Sequence, residues 1–278
     1  MNLPAPIWFV GCGNMGGAII EGWRAAGIDL SNVVVIRPSG TPVEGVLTVT
    51  TFAEAGPPPK LVLLAFKPQK LDEVAPELRK WLASKTIVLS ILAGVEAASL
   101  RERFPGAAAI VRAMPNLPVA VRRGVTALYS EDAADDVRTQ LGELFVALGW
   151  GMWMADEARF GALGSVAGAG PAYVARFVAA LAKAGVRRGL SEETAATVAL
   201  ETVLGTAWMA ATQSESMDSI ARRVASPRGT TEAGLAVLDH EHVLDELVAL
   251  TIDAAARRGA ELAEEAKELA ADARVQPS

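Results

Sequence analysis

The residues Gly11-Cys12-Gly13-Asn14-Met15-Gly16 have the spacing G-x-G-x-x-G, and each glycine has a physical reason to stand where it does. Gly11 permits a tight turn, Gly13 lets backbone approach a pyrophosphate, and Gly16 lets a helix lie close to a strand. The turn follows the apolar run Ile7 to Val10 and opens the helical pattern Asn14 to Ala26. The start of that helix adds amide donors and positive potential where a phosphate would sit. Cys12 has no visible base partner and reads as a small residue filling the turn. At the end of the next apolar run the chain reads Ile36-Arg37-Pro38-Ser39, with no acid to bind a ribose 2'-hydroxyl and one guanidinium able to pair with a 2'-phosphate. NADPH is therefore expected in preference to NADH, a solvated Arg37 being the alternative.

Three more polar stretches leave apolar runs at their C-terminal ends: Ala65-Phe66-Lys67-Pro68-Gln69, Ser90-Ile91-Leu92-Ala93-Gly94-Val95 and Arg112-Ala113-Met114-Pro115-Asn116. In an open α/β sheet that edge is where ligands bind, so the three cluster beside the expected nicotinamide. Lys67 is either a contact to cofactor or substrate, or a solvated loop lysine. Further along, Ser226-Pro227-Arg228-Gly229-Thr230-Thr231 brings hydroxyls and free N–H groups to a helix start, a place suited to a carboxylate. An N-cap without a ligand explains it equally well. His240 and His242 sit two apart in an expected helix and face different ways. With one cysteine and no further histidine, no metal site is expected.

The elements that must position these groups follow from the pattern of the chain. Ile7 to Val10, Val33 to Ile36, Leu61 to Ala65, Thr86 to Ile91, Ala108 to Val111 and Val125 to Tyr129 read as strands buried on both faces. Helical patterns such as Leu71 to Leu82 and Ala133 to Leu148 lie between several of them. This predicts an N-terminal Rossmann-type doubly wound sheet over residues 1–155. Beyond it, Ala-rich helical segments take over at Pro171 to Gly189, Ser191 to Ala211, Thr231 to Leu238 and His242 to Ala273, predicting an all-α domain over residues 156–278. Small residues such as Gly161, Gly164 and Gly168 permit close helix approach, while bulky side chains are sparse. The helical domain is expected to complete its core by dimerising, although a self-contained bundle fits the composition as well.

The 278 residues are 51% hydrophobic with a formal net charge of −6 and interspersed signs, which gives no reason to expect nucleic acid or an anionic membrane as partner. The single Cys12 suits a reducing compartment. No basic leader precedes Ile7, and Pro171, Arg176 and Lys183 interrupt the longest apolar stretches. A cytoplasmic protein without a membrane span is expected.

Taken together, these motifs resemble those of pyrroline-5-carboxylate reductase, the enzyme of the last step of proline biosynthesis. The resemblance begins at Phe9-Val-Gly-Cys-Gly-Asn-Met-Gly-Gly-Ala-Ile and takes in the Phe-Lys-Pro-Gln, Ser-Ile-Leu-Ala-Gly and Arg-Ala-Met-Pro-Asn stretches. It continues through Gly168-Ala-Gly-Pro-Ala-Tyr and Ser226-Pro-Arg-Gly-Thr-Thr, covering nearly the whole chain. It implies a Rossmann domain and a helical domain interlocked in a homodimer, sometimes within larger assemblies. It also implies that Asn14, Met15, Arg37, Ala65, Lys67, Ala93 and Asn116 lie around the cofactor, with Pro68 and Gly94 beside them. Ser226, Gly229, Thr230 and Thr231 match the loop that holds the carboxylate and ring nitrogen of a cyclic imino acid.

The resemblance further implies NADPH-dependent reduction of 1-pyrroline-5-carboxylate to L-proline, with Thr231 hydrogen-bonding the ring nitrogen. The chain departs from the family at Arg228, where Gly is usual, at Ala167 and Ala169 for Ser, at Leu117 for Thr and at Ile36 for Asn. Arg228 stands inside the substrate loop, where it adds a bond to the carboxylate, points to solvent or marks an altered substrate. The alternatives are reduction of a related cyclic imine or a hydroxy acid, or NADPH binding without turnover. A hydroxy-acid enzyme would want a lysine within residues 156–170, which contain none.

Overall fold

The computed structural model describes residues 4–275. Eight strands form one sheet: β1 (Ile7–Val10), β2 (Val33–Ile36), β3 (Leu47–Val49), β4 (Leu61–Leu64), β5 (Ile87–Ser90), β6 (Ala109–Pro115), β7 (Gly124–Tyr129) and β8 (Gly149–Trp153). Their order is β3-β2-β1-β4-β5-β6-β7-β8, so chain direction across the sheet reverses between β1 and β4. Four helices complete the sheet's layers: α1 (Asn14–Ala25), α2 (Leu71–Arg79), α3 (Ala97–Arg103) and α4 (Asp135–Val146).

Strand alternation splits the core between the two faces. Ile7 and Phe9 pack with Trp23 of α1 and Phe145 of α4, while Trp8 and Val10 pack with Leu78 of α2 and Phe104 beyond α3. Helix α1 stops where the sequence places Gly27, which has φ +74° and donates its N–H to the Arg24 carbonyl. The pairing of β6 with β7 is antiparallel, departing from the parallel series expected there. Only one short 3-10 turn, Leu117–Val121, joins the two strands, and a parallel crossover needs a dozen or more residues.

The edge strands β3 and β8 were not anticipated, nor were α3 and α8 (Met217–Val224), while α5 (Glu157–Ala167) carries the small residues Gly161 and Gly164 expected on a helix. The remaining helices are α6 (Gly170–Arg187), α7 (Glu192–Gln213), α9 (Thr230–Leu238) and α10 (Val243–Val275). Two compact units result: Met1–Ala169 with Ala255–Ser278, and Gly170–Ala254. Helix α5, which follows β8, packs on the sheet unit, with Phe160 fully buried beside Tyr129. In the second unit α6 buries none of its residues, and Ala195, Ala199 and Ile220 are its buried apolar residues among those described. One stretch, Glu157–Arg187, is long and apolar enough by length and composition to cross a membrane.

Candidate active site

At the β1–α1 turn the structure gives Gly11 φ +78°, and its N–H donates to the Ile36 carbonyl at 2.8 Å. A Cβ there would stand 2.8 Å from the Ala65 oxygen, so only glycine lets the turn cross the exit of β4 this closely. Gly16 lies against Cys12 and Ala65, while Gly13 has open space where its Cβ would be. No side chain caps the start of α1 and no acid stands in its first turn, so its leading amides remain available to an anion. Asn14 is exposed, and Met15 packs against the core.

Beside this turn lies a cleft of about 760 Å³, lined by Cys12, Gly13, Asn14, Arg24, Arg37 and Leu117 among others. An Arg24–Glu44 ion pair of 2.6 Å lies in its wall. The Arg37 N–H is fixed to the Val49 carbonyl at 3.0 Å, pinning the backbone from which its guanidinium projects. Burial pushes the Cys12 thiol pKa up, with Arg37 pulling it partly back, so the thiol is a poor nucleophile. This turn fits a dinucleotide phosphate: it combines open space, free amides and a nearby cation.

The other stretches divide by task. Ala65 is buried behind the turn, and Lys67 projects from extended backbone just before the 3-10 turn Pro68–Lys70. Ala93 lies on the loop after β5. Gly94 has φ +73°, and a Cβ there would meet the Leu262 backbone of α10 at 3.1 Å. Ala93, Pro68 and Leu262 share a smaller cavity of about 220 Å³ with the Asp72–Arg103 pair. Asn116 is buried, and both ends of its amide are engaged within the protein. Its Oδ1 accepts from the Val125 N–H at 2.8 Å, and its Nδ2 donates to the Ala167 carbonyl at 3.0 Å.

In the second unit, Ser226 to Gly229 forms a tight turn closed by the Gly229 N–H donating to the Ser226 carbonyl at 2.9 Å. Pro227 at the second position and Arg228 at φ +58° at the third are the type II pattern, whose third position favours glycine. The Arg228 N–H donates to Glu232 Oε2 at 2.6 Å, so this acid closes the turn from the first turn of α9. The Arg228 side chain is exposed, and its guanidinium has no ion pair among the described residues. Gly229 caps α9 without a side chain, Thr230 is exposed and Thr231 half-buried, and neither hydroxyl has a hydrogen-bond partner among the described residues. His240 and His242 lie in a short 3-10 turn between α9 and α10, with Glu241 and His242 at positive φ, rather than in the expected helix. Both are exposed to solvent.

Comparison with known proteins now bears on both units. A family model for pyrroline-5-carboxylate reductase dimerisation matches residues 157–262, and one for coenzyme F420-dependent NADP oxidoreductases matches residues 6–94. A pyrroline-5-carboxylate reductase of Pseudomonas aeruginosa is 35% identical over 266 residues, spanning 93% of this chain and 97% of that protein. The chain belongs to the pyrroline-5-carboxylate reductase family. A Synechocystis member is 40% identical over 210 residues, covering 75% of this chain and 77% of its own. Among solved structures, the pyrroline-5-carboxylate reductase of Coxiella burnetii aligns with TM-score 0.85 at 33% identity, covering 93% of this chain and 98% of that one. That of Plasmodium falciparum aligns at 0.84 with 24% identity, covering 94% of this chain and 100% of that one, and shares the fold.

In the Ser226–Thr231 turn Arg228 occupies a positive-φ backbone position that costs a side-chain-bearing residue about 1–2 kcal/mol.

Proposed function

We infer that the protein reduces 1-pyrroline-5-carboxylate to L-proline, taking the hydride from NADPH in preference to NADH, as a homodimer in the cytoplasm. The observation that carries this reading is family membership over nearly the whole chain, joined to the uncapped turn Ser226–Thr231. The division of labour follows the expected domains: residues 1–155 hold the cofactor, and residues 156–278 bind substrate and dimerise.

In this mechanism the start of α1, with Gly11, Gly13 and Asn14, holds the pyrophosphate, and Arg37 pairs with the 2'-phosphate. When bound, the reduced nicotinamide supplies the hydride. With the Gly229 N–H held in the turn by the Ser226 carbonyl, the amides of Thr230 and Thr231 grip the substrate carboxylate at the start of α9. The Thr231 hydroxyl, with no partner among the described residues, is free to hydrogen-bond the ring nitrogen. The imine is reactive when its nitrogen is protonated, so the enzyme's main contribution is orientation. Arg37 lines the cleft beside the dinucleotide turn, and Lys67 follows Ala65 and Phe66, which touch Gly11; both add positive charge for an anionic ligand.

The dimer reading rests on the second unit's surface. Val174 and Phe177 on α6, Leu204 and Trp208 on α7, and Leu247 and Leu250 on α10 are all exposed in the single chain. An apolar surface of this kind is covered by a partner or a lipid phase. A second copy is the occupant we favour, because the matched family model describes dimerisation. The same cover accounts for the apolar face of α6 within Glu157–Arg187.

Steady-state oxidation of NADPH tests the activity. The panel should contain 1-pyrroline-5-carboxylate, 1-pyrroline-2-carboxylate, a six-membered cyclic imino acid and a 2-oxo acid. The reading predicts saturable turnover and the highest kcat/KM with 1-pyrroline-5-carboxylate. Preference for another member of the panel would reassign the substrate, and inactivity toward all four would leave a nucleotide-binding protein.

A further inference from the structure

We propose that Arg112, Met114 and Asn116 form a three-point clamp on α5, making them positioning residues for hydride transfer. The proposal rests on the reductase reading, but its geometry lies within the first unit. Alternate residues of a strand share a face, and so do residues three or four apart on a helix. Arg112, Met114 and Asn116 meet Glu157, Phe160, Gly164 and Ala167 in this way along the full length of α5.

At the first turn, Arg112 Nη1 donates to Glu157 Oε1 at 2.7 Å, and the guanidinium lies 4.5 Å from the centre of the Phe160 ring. The same Glu157 oxygen accepts the Ala97 N–H at 2.9 Å, tying in the start of α3. In the middle, Met114 fills the space a side chain at residue 164 would take: a Cβ on Gly164 would lie 1.9 Å from the Met114 sulfur. At the last turn, Asn116 Nδ2 holds the Ala167 carbonyl while its Oδ1 holds β7 through Val125. Arg112 and Asn116 are both buried, and breaking such bonds leaves polar groups unpaired away from water.

The location gives the clamp a functional consequence. Helix α5 is the last element of the first unit before the chain passes at Gly170 into the unit carrying Ser226–Thr231. Fixing its first turn to Arg112 of β6 and its last turn to Asn116 holds the segment from which the chain continues toward Ser226–Thr231. A shift of about 1 Å in reactant placement can cost about 100-fold in rate, so rotation of this helix should appear in the chemical step. Asn116 therefore acts through α5 rather than by touching the cofactor.

The test is Asn116→Asp, which keeps an oxygen for the Val125 N–H but turns a carboxylate toward the Ala167 carbonyl. Expected are a kcat about tenfold lower, a larger isotope effect with 4-deuterated NADPH, faster hydrogen exchange across residues 164–170, and an NADPH Kd within about twofold of the parent. Unchanged kcat and isotope effect would overturn the proposal. So would an NADPH Kd about tenfold weaker with kcat retained, since the amide would then serve the cofactor directly.

Should that variant fail to fold, Gly164→Ala presses on Met114 and should lower kcat, and adding Met114→Ala should restore it. Absence of either effect contradicts the clamp. Failure of the unaltered enzyme to reduce any cyclic imine would count against the function alone. The exchange readout would still decide whether the clamp holds α5.

Discussion

On β1 the neighbours Trp8 and Phe9 turn to opposite faces of the sheet and both are fully buried, whereas α6 carries Val174, Phe177 and Leu181 and buries none of them. The first unit satisfies its apolar residues within one chain. The second presents theirs outward and keeps a buried set of little more than two alanines and an isoleucine. The same contrast holds for the candidate site. The dinucleotide turn is held by backbone contacts between β1, β2 and β4, so its shape is complete in the single chain. The turn Ser226–Thr231 is held locally, by the Ser226–Gly229 hydrogen bond and by Glu232. A region that closes on itself can preorganise a ligand site alone, while one with an open apolar face depends on what covers it.

Charging the open face should have the largest effect. Trp208→Glu would place an unpaired charge in the proposed interface, at a cost of about 3–5 kcal/mol. Sedimentation at micromolar concentration should then show monomer, with activity reduced about 100-fold or more; a fully active dimer would mean that this face is not the interface. The next largest effect concerns the substrate turn. Thr231→Ala should lower kcat/KM for the imine by about 10–100-fold, the worth of a hydrogen bond to a charged group, while Thr231→Ser keeps most of it.

On the closed side, Arg37→Ala should raise the KM for NADPH about tenfold and leave that for NADH within about twofold. Equal losses for both cofactors would remove the phosphate role. The smallest effect has the opposite sign. Arg228→Gly relieves a positive φ and should stabilise the fold by up to about 1 kcal/mol, offset in part by the greater freedom of glycine in the unfolded chain. Calorimetry should register a Tm higher by about 2–4 °C. A fall in Tm would show that the arginine side chain makes stabilising contacts in the assembled protein.

Chemical modification sharpens the same contrast without a mutation. Because burial raises the Cys12 pKa, less thiolate forms at a given pH than on a free cysteine. Alkylation of the native protein at pH 8 should be slower than that of the unfolded chain, and saturating NADPH should slow it further.

What the sequence made legible follows the same division. The phosphate turn and six strands were readable because each is a local pattern: an apolar run, a glycine-rich turn, a helical period. β8 escaped because Gly149-Trp-Gly-Met-Trp has two glycines and no β-branched residue, and β3 because it is a short edge strand with Leu47 exposed. The antiparallel turn of β7 depends on a connection length, which periodicity does not report.

At the site, Gly11, Gly16 and Ala65 come together as their spacing suggests. Gly94 and Asn116 have jobs set by residues far along the chain, Leu262 for one and Ala167 for the other. No local pattern announces such a partner. The helical unit was legible as helices, but their exposed faces point to a surface that one chain does not contain.

In the proposed reaction a hydride passes from a dinucleotide at Gly11–Gly16 to a cyclic imino acid held at Ser226–Thr231. Reduction of 1-pyrroline-5-carboxylate with NADPH carrying deuterium at both C4 positions of the nicotinamide, followed by NMR of the isolated product, tests it. The account predicts L-proline carrying one deuterium at C5. Product free of deuterium, or cofactor oxidised without proline appearing, would contradict it.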